Sequence, residues 1–508
     1  MELARRLVDD TDDGLTVSFA GGADAFNTPT LLAAGLRPVT TCSDLLRPGG
    51  YLRLLQYLVE LDRELDRTGA ADLDELILRS AGITGSITQA ARHNLARYAD
   101  SLPSDPSLIR GSFGRNRTKT GRTLGLFDCV AAPCTDVCAV EQKVPSYMRH
   151  VAAGDVDKAA EVIARDNALP TILGRACHHP CESVCLRTHL DQPVAIREIK
   201  RYVTDSARPR VRPKTAASKA PSVAIVGAGP CGLASAAELA NAGVKAVIFE
   251  ARGEGGGMVS ATIPGYRSSG SAVNRDLEAV TDLGVEVEYG VSVGSDITLD
   301  QLFGRGFSSI VVAVGAQIGS SLGIEGEDSV GVIDGLDFLR SARHGRTADL
   351  GSRIAIVGGG DVAMDCARSA RRLSDGEVEI LYRRTVDEMP AHPEEIRDLL
   401  SEGITIRELI APRRAVATGD RLEAIECATM TLGEPDASGR PRPVEVPGGG
   451  ITIALDTLIV AIGQRADLRV FFGSTVATSP GGYLEVDSET LETSIPRVYA
   501  GGDLREPG

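Results

Sequence analysis

Two glycine-rich segments constrain the fold of this chain most, because each joins a short apolar strand pattern to an Ala-rich helix pattern. The first, SVAIVGAGPCGLASAAELANAG, has the form G-x-G-x-x-G at Gly227, Gly229 and Gly232. These glycines permit a tight turn, approach of backbone N–H groups to a pyrophosphate, and close helix–strand packing, respectively. The next strand, KAVIFE, ends at Glu250, where a carboxylate accepts hydrogen bonds from an adenosine ribose. The segment predicts a dinucleotide site that includes Pro230; a structural glycine turn is the alternative.

The second segment, RIAIVGGGDVAMDCARSARRL, has the form G-x-G-x-x-A, with Gly358, Gly360 and Ala363. Its next strand ends differently, because VEILYRR places Arg383 and Arg384 where an NAD site has an acidic residue. A guanidinium there can pair with a 2′-phosphate, so the sequence predicts NADPH rather than NADH. The alternative is a solvated basic corner. Asp361 is assigned to the same site, although helix capping is its more ordinary role.

From residue 222 onward, strand patterns such as AVIFE, SIVVAVG and TLIVAIG alternate with helical stretches, which is typical of parallel α/β sheets. The second fingerprint lies between parts of the domain that the first one begins. The predicted fold class is therefore α/β with two Rossmann-like domains, one for FAD and one for a nicotinamide cofactor. We place the FAD-binding domain at 222–340 plus 456–508 and the NAD(P)H-binding domain at 341–455.

The first 221 residues have a different character. Strand patterns at 15–20 and 37–41 are each followed by a Gly-containing loop and a helical pattern, within a predicted segment 1–70. Two such units cannot close a barrel, so they predict a partial βα-barrel or a small α/β capping unit. Helices are predicted at 51–66 and 72–100. The other predicted segments are a helical connector at 71–125, a helical iron–sulfur domain at 126–205 and a linker at 206–221.

Charge and cysteine content limit the possible partners and the compartment. A formal net charge of −15 argues against a nucleic-acid or anionic-membrane surface, since both need concentrated Lys and Arg. No stretch reaches the roughly 18 consecutive apolar residues of a membrane helix, and the start MELARRLVDDTDD lacks a signal-peptide pattern. The predicted location is the cytoplasm. There, cysteines are expected to be thiols, metal ligands or catalytic groups rather than structural disulfides.

A cluster of cysteines is the next functional signal. Its members are Cys129, Cys134, Cys138, Cys177, Cys181 and Cys185. Spacings with three intervening residues put thiolates one helical turn apart on the same face, where they can bind one metal cluster. Zinc could take such ligands, but iron–sulfur is favoured because a redox-active cluster has a use beside a flavin. The sequence has no C-x-x-C pair, which argues against disulfide exchange, and Cys231 has no resolving partner nearby.

Nearly all of 222–508 resembles the two-dinucleotide flavoproteins, through the ordered segments EGGGMVSATIPGYR, VVAVGA, LIVAIGQ and VYAGGDL. The resemblance implies that Asp503 hydrogen-bonds the ribityl chain of FAD. It also implies that the flavin is lined by Gly257, Met258, Ile263, Pro264 and Arg267. The glycines assigned to the cofactor sites from the other segments are Gly315, Gly463 and Gly502. That family continues into a helix that closes the flavin site, so this chain, which stops at Gly508, is expected to be truncated.

The cysteine-rich stretch, with LGRACHHPCESVCLR and PVAIREIKRY, resembles the iron–sulfur domain of the glutamate synthase small subunit and of dihydropyrimidine dehydrogenase. The resemblance implies one 4Fe-4S cluster on Cys129, Cys134 and Cys185, and another on Cys138, Cys177 and Cys181. Leu126 and Leu173 replace a further family cysteine in each group, and Lys200 replaces a Gln or Glu ligand. The fourth ligands are therefore open. Asp128, His178, His179 or Glu198 could substitute, a three-iron cluster could form, or the clusters could be lost.

LGLFDCVAAPCTDVCAVEQKVPSYM and the altered ligand pattern most closely resemble the large flavin subunit of the selenate reductase family, found with molybdenum-dependent hydroxylases. In that family a barrel related to dihydroorotate and dihydropyrimidine dehydrogenases precedes the iron–sulfur segment. VSFAGGADAFNTPTLLAAGLRPVTTCSDLLRPGG resembles the last strands and helices of such a barrel. Any FMN or substrate site there is expected to be incomplete, and selenate is only a family label.

The sequence thus predicts an FAD-dependent NAD(P)H oxidoreductase that passes electrons through iron–sulfur clusters to a partner subunit or missing domain. A molybdenum enzyme is one candidate acceptor. No catalytic acid or base is required, because the protein has to position two cofactors and tune their potentials. A glutamate-synthase-type electron donor and a non-catalytic scaffold or truncated fragment are the alternatives. Isolated histidines are assigned surface or packing roles, namely His150, His189, His344 and His392.

Overall fold

The computed structural model describes residues 1–11, 15–46, 50–104, 132–189, 191–208, 221–346, 349–436, 439–479 and 481–505. The chain forms two compact units. The first comprises Met1–Pro145 and Pro180–Val194, and the second comprises Ser146–His179 and Ala195–Gly508. The predicted ligand Cys129, with Leu126 and Asp128, lies outside the described residues. Within the described ranges, each helix is too short or too polar to cross a membrane.

The helices and strands are numbered along the chain. The helices are α1 (Glu2–Asp10), α2 (Thr28–Ala33), α3 (Arg53–Thr68), α4 (Leu73–Ala81), α5 (Ile87–Ser101), α6 (Pro133–Asp136), α7 (Val144–Ala152), α8 (Val156–Asp166), α9 (Pro170–Ala176), α10 (Pro180–Ser183), α11 (Ile196–Ser206), α12 (Pro230–Asn241), α13 (Met258–Ala261), α14 (Gly270–Thr281), α15 (Leu299–Gly304), α16 (Gly335–Arg343), α17 (Asp361–Leu373) and α18 (Pro393–Ser401). The strands are β1 (Phe19–Ala20), β2 (Val39–Thr40), β3 (Ser222–Val226), β4 (Lys245–Glu250), β5 (Glu286–Tyr289), β6 (Ser309–Val312), β7 (Ile318–Gly319), β8 (Val332–Asp334), β9 (Arg353–Val357), β10 (Glu377–Leu381), β11 (Thr405–Arg407), β12 (Ile410–Thr418), β13 (Arg421–Pro435), β14 (Pro441–Ala454), β15 (Thr457–Val460), β16 (Gln464–Arg465) and β17 (Val498–Ala500).

The first unit begins with two short parallel strands and the helices around them. β1 pairs with β2 in parallel, with Phe19 opposite Val39, as the two predicted strand–helix units require. The predicted helix 72–100 is two helices, because Gly82 takes a left-handed φ of +63° and ends α4. The buried side-chain amide of Asn94 links α5 to α2 and α4, because it donates to the carbonyls of Ala33 and Ile77, each at 2.9 Å.

The flavin half of the second unit is a parallel sheet in the order β17-β6-β3-β4-β5. The nicotinamide half is a second parallel sheet, in the order β11-β10-β9-β15-β8. In each sheet the fingerprint strand, β3 or β9, is central and its glycine loop leads directly into a helix, α12 or α17. The predicted pair of Rossmann-like domains is therefore confirmed.

The expected domain boundaries at 340 and 455 are wrong. β8 and β15 both belong to the nicotinamide sheet, because β15 pairs with β9 on one side and with β8 on the other. A three-stranded antiparallel sheet, β12-β13-β14, is inserted between β11 and β15. The nicotinamide domain thus reaches from β8 to β15. The chain enters this domain after β7 and leaves it before β16, and these two short strands pair with each other.

The predicted helical iron–sulfur domain at 126–205 is divided between the two units. α9 packs on the flavin half, where Leu169 and Ile172 join the apolar core that contains α12 and β3. The buried Asp276 on α14 fixes this packing, because its carboxylate accepts the backbone N–H groups of Thr171 and Ile172 at 3.1 and 2.7 Å. Such a carboxylate satisfies N–H groups that the first turn of a helix cannot bond internally.

Candidate functional site

The first cavity lies at the carboxyl ends of β3 and β4 and has a volume of about 760 Å³. Predicted FAD-site residues that line it are Gly227, Gly229, Pro230, Glu250, Gly257, Met258, Gly315, Gly502 and Asp503. Two glycine loops meet there: a Cβ on Gly257 would lie 2.7 Å from the Cα of Gly229. Side chains at either position would fill the approach that a dinucleotide pyrophosphate needs, so the cradle fits FAD.

Glu250 is 8% exposed and is held by the glycine loop beside it. Its carboxylate accepts the backbone N–H of Ala228 at 2.7 Å and that of Arg252 at 2.9 Å. Both bonds orient the side chain at the edge of the cavity. A carboxylate has lone pairs beyond these two bonds, so Glu250 can still accept a ribose hydroxyl.

The cavity also contains polar residues that the sequence analysis missed. Arg252 and Arg340 both donate to the Gln317 side-chain oxygen, at 2.7 and 3.3 Å, and all three line the cavity. Burial lowers the pKa of Arg252 below its ordinary value, with Arg340 adding to the effect. Positive charge here suits a pyrophosphate. Arg252 follows β4 by two residues, whereas Arg340 reaches the cavity from α16, and no local motif marks either position.

Four predicted FAD-site residues lie elsewhere among the described residues. One of them, Pro264, lines a separate small cavity. Gly232 faces its own loop, where a Cβ would meet the Gly227 carbonyl oxygen at 1.9 Å, so it serves helix packing as expected. Ile263 packs against the apolar core of the flavin half. Arg267 does not line the cavity: its guanidinium lies 2.8 Å from both carboxylate oxygens of Asp365 and 3.1 Å from Glu395. Arg267 thus pairs with the nicotinamide half, and its flavin contact stays a prediction.

That ion pair is buried. Asp365 on α17 is 5% exposed, and burial raises its pKa to about 6 against the opposing effect of Arg267. The neighbouring Tyr266 ring lies under two guanidinium groups, with its centroid 4.0 Å from Arg372 and 5.3 Å from Arg368. These contacts join the loop after α13, in the flavin half, to α17 in the nicotinamide half.

The second cavity lies at the carboxyl ends of β9 and β10 and has a volume of about 630 Å³. The predicted nicotinamide-site residues that line it are Gly358, Gly360, Asp361, Arg383, Arg384 and, from the later segment, Gly463. Gly358 has a φ of +144°, and a Cβ there would lie 2.2 Å from the carbonyl oxygen of Ala461. Ala363 is fully buried on α17 and packs in the domain core. The geometry fits a dinucleotide at the start of α17.

The two adjacent arginines differ in environment. Arg383 is exposed, whereas the Arg384 side chain is 4% exposed. The Arg384 guanidinium donates to the Asp436 carboxylate at 2.6 Å and to the Pro441 carbonyl at 2.7 Å. Arg440, which the sequence analysis did not assign, lines the same cavity. Asp436 and Arg440 lie between β13 and β14 of the inserted antiparallel sheet, too far along the chain for the fingerprint to reveal.

Five of the six predicted metal-ligand cysteines are described. Cys134, Cys138, Cys181 and Cys185 belong to the first unit, and Cys177 belongs to the second. Burial raises the pKa of the Cys134 thiol, and the charges of Cys185 and Cys138 raise it further. Cys185 and Cys138 therefore both act electrostatically on Cys134, and thiols are the ligands that iron–sulfur clusters take. Lys200 is buried on α11.

A cluster of His and Glu side chains adjoins the nicotinamide site. Candidate ligand atoms of His179, His392 and Glu394 lie within 4.8 Å of one another, although the sequence analysis assigned His392 a packing role. Arg197 already pairs with the Glu394 carboxylate at 3.3 Å, which opposes a second cation. The His392 backbone N–H donates to Asp361 at 3.0 Å, so Asp361 fixes the loop before α18. The N-cap of α17 is Gly360, so Asp361 does not cap this helix, and its role at the cofactor site stays a prediction.

Comparisons with known families match three parts of the chain. Residues 221–508 match the pyridine nucleotide-disulphide oxidoreductase model. Residues 119–211 match dihydropyrimidine dehydrogenase domain II, 4Fe-4S cluster, and residues 1–91 match the N-terminal TIM-barrel domain of oxidoreductase YgfK. The last match favours the partial barrel over the alternative of a small capping unit.

Curated relatives cover the same parts. The NADP(+)-dependent formate dehydrogenase subunit beta of Moorella thermoacetica is 40% identical over 79% of this chain and 61% of its own length. Escherichia coli YgfK is 35% identical over 97% of this chain and 46% of its own length. The glutamate synthase [NADPH] small chain of Halomonas elongata is 32% identical over 73% of this chain and 82% of its own length. The chain spans about half the length of several curated relatives that it matches.

A solved structure supports the fold. Mycobacterium tuberculosis FprA in complex with NADPH superposes with a TM-score of 0.50 and 20% sequence identity, over 56% of this chain and 79% of that chain. At this identity the likeness concerns the arrangement of the two sheets.

Proposed function

Because the chain belongs to the pyridine nucleotide-disulphide oxidoreductase family, we propose that it moves electrons from NADPH to FAD and onward through iron–sulfur clusters to a partner subunit or domain. The observation that carries this proposal is the pair of glycine-cradled cavities at the carboxyl ends of two parallel sheets in one unit. When bound, FAD accepts an electron pair from the nicotinamide and releases electrons singly, and clusters carry single electrons.

The residues of the chain would bind and orient the cofactors. Gly229 and Gly257 would leave room for the pyrophosphate of FAD, and Glu250, fixed by two backbone bonds, would accept a hydrogen bond from its adenosine ribose. Asp503 lines the same cavity and is proposed to hold the ribityl chain. Gly358 and Gly360 would likewise leave room for the pyrophosphate of NADPH. Orientation of two cofactors is the main catalytic requirement of such a reaction.

The cysteines would hold the iron–sulfur clusters. The match of residues 119–211 to a 4Fe-4S domain supports clusters over zinc. The ligand sets implied by the family resemblance, including Cys129, Cys177 and Cys181, stay predictions.

The electron acceptor is proposed to be a partner protein. Relatives named as subunit beta of a formate dehydrogenase and small chain of a glutamate synthase support a multi-subunit assembly. A molybdenum enzyme as the acceptor and a cytoplasmic location are finer proposals. The match of residues 1–91 to a barrel domain favours this assignment over a glutamate-synthase-type donor.

An anaerobic visible spectrum before and after adding NADPH tests the proposal, with iron and acid-labile sulfide assays in parallel. We expect flavin bands that bleach with NADPH, and iron with sulfide. A colourless chain inert to NADPH would favour the scaffold alternative.

A glycine variant separates the two nucleotide sites. Gly358→Ala places a Cβ 2.2 Å from a backbone carbonyl oxygen, so flavin should be retained while bleaching by NADPH is lost. Gly450→Ala, in the same domain, is the control because its Cβ would meet its nearest atom at an ordinary 3.5 Å. Equal bleaching in Gly358→Ala and in wild type would contradict the assignment of the second cavity to NADPH.

A further inference from the structure

A further large cavity lies among helices of the second unit and shares no described wall residue with the two cofactor cavities. Its volume is about 760 Å³, as large as that of the flavin cavity, and its walls come from α8, α9, α11, α12 and α14. None of the described residues assigned above to a cofactor or a cluster lines it. We call it the helical cavity. A cavity of this size can take a small organic molecule.

Small side chains leave the space between these helices. The alanines that line the helical cavity are Ala160, Ala164, Ala168, Ala207, Ala237 and Ala279. A methyl group leaves open the volume that a longer apolar side chain would fill in a close-packed interior. The alanine walls suit the hydrocarbon part of a ligand.

Asn167 supplies the helical cavity with a hydrogen-bond donor. This wall residue follows α8 and is 3% exposed. Its Oδ1 accepts the backbone N–H of Leu169 at 3.0 Å, which fixes the orientation of the side-chain amide. Within the part of the chain that the structure describes, the Nδ2 of Asn167 has no hydrogen-bond partner. Because an unpaired buried donor is destabilising, Asn167 favours a ligand with an acceptor oxygen.

Arg275 on α14 adds a positive charge to the wall. Its Nη1 donates to the Thr204 carbonyl on α11, which is an uncharged partner. Among the described residues, no carboxylate lies within ion-pair distance of this guanidinium. The adjacent Asp276 is used elsewhere, since its carboxylate accepts the backbone N–H groups of Thr171 and Ile172. Arg275 can therefore pair with an anion.

The other charged wall residues limit the charge of that anion. Glu161, Arg165 and Glu238 line the helical cavity and are exposed. Together with Arg275 and Asp276, they give the walls three carboxyl groups and two guanidinium groups. The carboxylates would repel a phosphate dianion strongly. A carboxylate ligand carries a single charge, and its two oxygens can accept from an amide and a guanidinium.

We propose that the helical cavity binds a small organic carboxylate. Its carboxylate group accepts hydrogen bonds from Asn167 Nδ2 and from the Arg275 guanidinium, and its apolar part lies against the alanine walls. This binding is separate from the proposed electron transfer from NADPH, so either can fail while the other stands.

Fluorine NMR of the full chain as purified tests the proposal with probes of two sizes. The probes are 4,4,4-trifluorobutyrate and 4-fluorobenzoate, each compared with its uncharged amide. We expect at least one carboxylate to bind about tenfold or more tightly than its amide, because charge-assisted hydrogen bonds are the stronger ones.

Asn167→Asp keeps an oxygen for the Leu169 N–H but replaces the donor by a like charge, so it should weaken binding of that carboxylate by about 10- to 100-fold. Asn274→Asp makes the same chemical change on α14 at an exposed position that does not line the helical cavity. This control should bind the probe within about twofold of wild type. Equal binding by the two variants would place the probe elsewhere and overturn the proposal.

A second pair of variants keeps the test decisive if Asn167→Asp does not fold. Arg275→Met retains an apolar stem but loses the charge, and should weaken carboxylate binding by about tenfold or more while binding of the amide changes less than about twofold. Arg201→Met, at an exposed position of α11 that does not line the helical cavity, should change neither. Carboxylates that bind wild type no more tightly than their amides would overturn the proposal, as would equal carboxylate binding by Arg275→Met and Arg201→Met. Both outcomes would leave the proposed electron transfer standing.

Discussion

Replacing Gly232 by alanine is expected to damage the flavin domain through one added methyl group. A Cβ at this position would lie 1.9 Å from the Gly227 carbonyl oxygen and 3.1 Å from its carbonyl carbon. Real Cβ contacts essentially never fall below 3.0 Å, so the two backbones must separate by at least 3.0 − 1.9 = 1.1 Å. The obstructing atom is backbone, so no flexible side chain can move aside.

The expected loss in the free energy of unfolding depends on the contacts that hold α12 in place. Its buried face consists of Leu233, Ala236, Ala237 and Ala240, all 7% exposed or less. Moving the helix outward by about 1 Å opens gaps along this face, and moving the loop instead displaces the N–H groups that face the pyrophosphate. We expect a loss of roughly 2–3 kcal/mol in the free energy of unfolding, as for other overpacked cores. That loss corresponds to a fall of roughly 4–12 °C in Tm for a domain of this size.

The assay combines thermal unfolding by circular dichroism with flavin released per chain after denaturation. Gly232→Ala should lower both values. Gly270→Ala is the control, because Gly270 begins α14 and a Cβ added to it would meet no atom within 4 Å. The control should keep its flavin and be unchanged or slightly more stable. If Gly232→Ala retained wild-type flavin content and a Tm within about 2 °C, the packing argument would be refuted.

Three further perturbations test other contacts. Asp456→Asn should destabilise the chain at pH 7 and nearly as much at pH 3.5, because a hydrogen bond from Arg353 holds the Asp456 pKa well below its ordinary value and the folded carboxyl stays ionised until the pH falls through that lowered pKa. A Tm difference that has largely disappeared at pH 3.5 would contradict this. Arg267→Met should cost roughly 3–5 kcal/mol in urea unfolding, since it leaves the buried Asp365 carboxylate without its cation although Glu395 keeps its ion pair with Arg368. Flavin content should stay near wild type. If the variant lost flavin without being destabilised, the result would instead support a direct contact between Arg267 and the flavin. Cys134→Ser should lower iron content with flavin retained, and the exposed Cys42→Ser is its control; unchanged iron would remove Cys134 from the ligand set.

The nucleotide-binding halves could be predicted from sequence because their signals are local. A glycine fingerprint, its preceding strand and its following helix lie within about one βα unit, so the residues that meet in space are also close along the chain. Gly227, Gly229 and Glu250 accordingly line the first cavity, as Gly358 and Gly360 line the second.

The errors involve contacts between distant segments. β8 and β15 are short strands whose membership is decided by pairing with β9, which no pattern within either strand reveals. Arg267 lies in a segment whose sequence resembles a flavin-binding loop, yet its partner Asp365 lies on a helix of the other domain. The packing of α9 on the flavin half likewise involves Asp276, which lies far along the chain from α9.

The edge strand β17 has a consequence for how the protein is made. β17 adds to β6 in the flavin sheet, although the entire nicotinamide domain separates the two strands along the chain. During translation, the first four strands of the flavin sheet emerge long before β17. The nicotinamide domain can therefore fold while the flavin sheet still lacks its last strand. Until then β6 presents an unpaired edge, which is prone to pair with other chains. Asp503 follows β17 closely, so the flavin cavity gains this wall only after the nicotinamide domain has been synthesised, and FAD capture is expected to follow the folding of that domain.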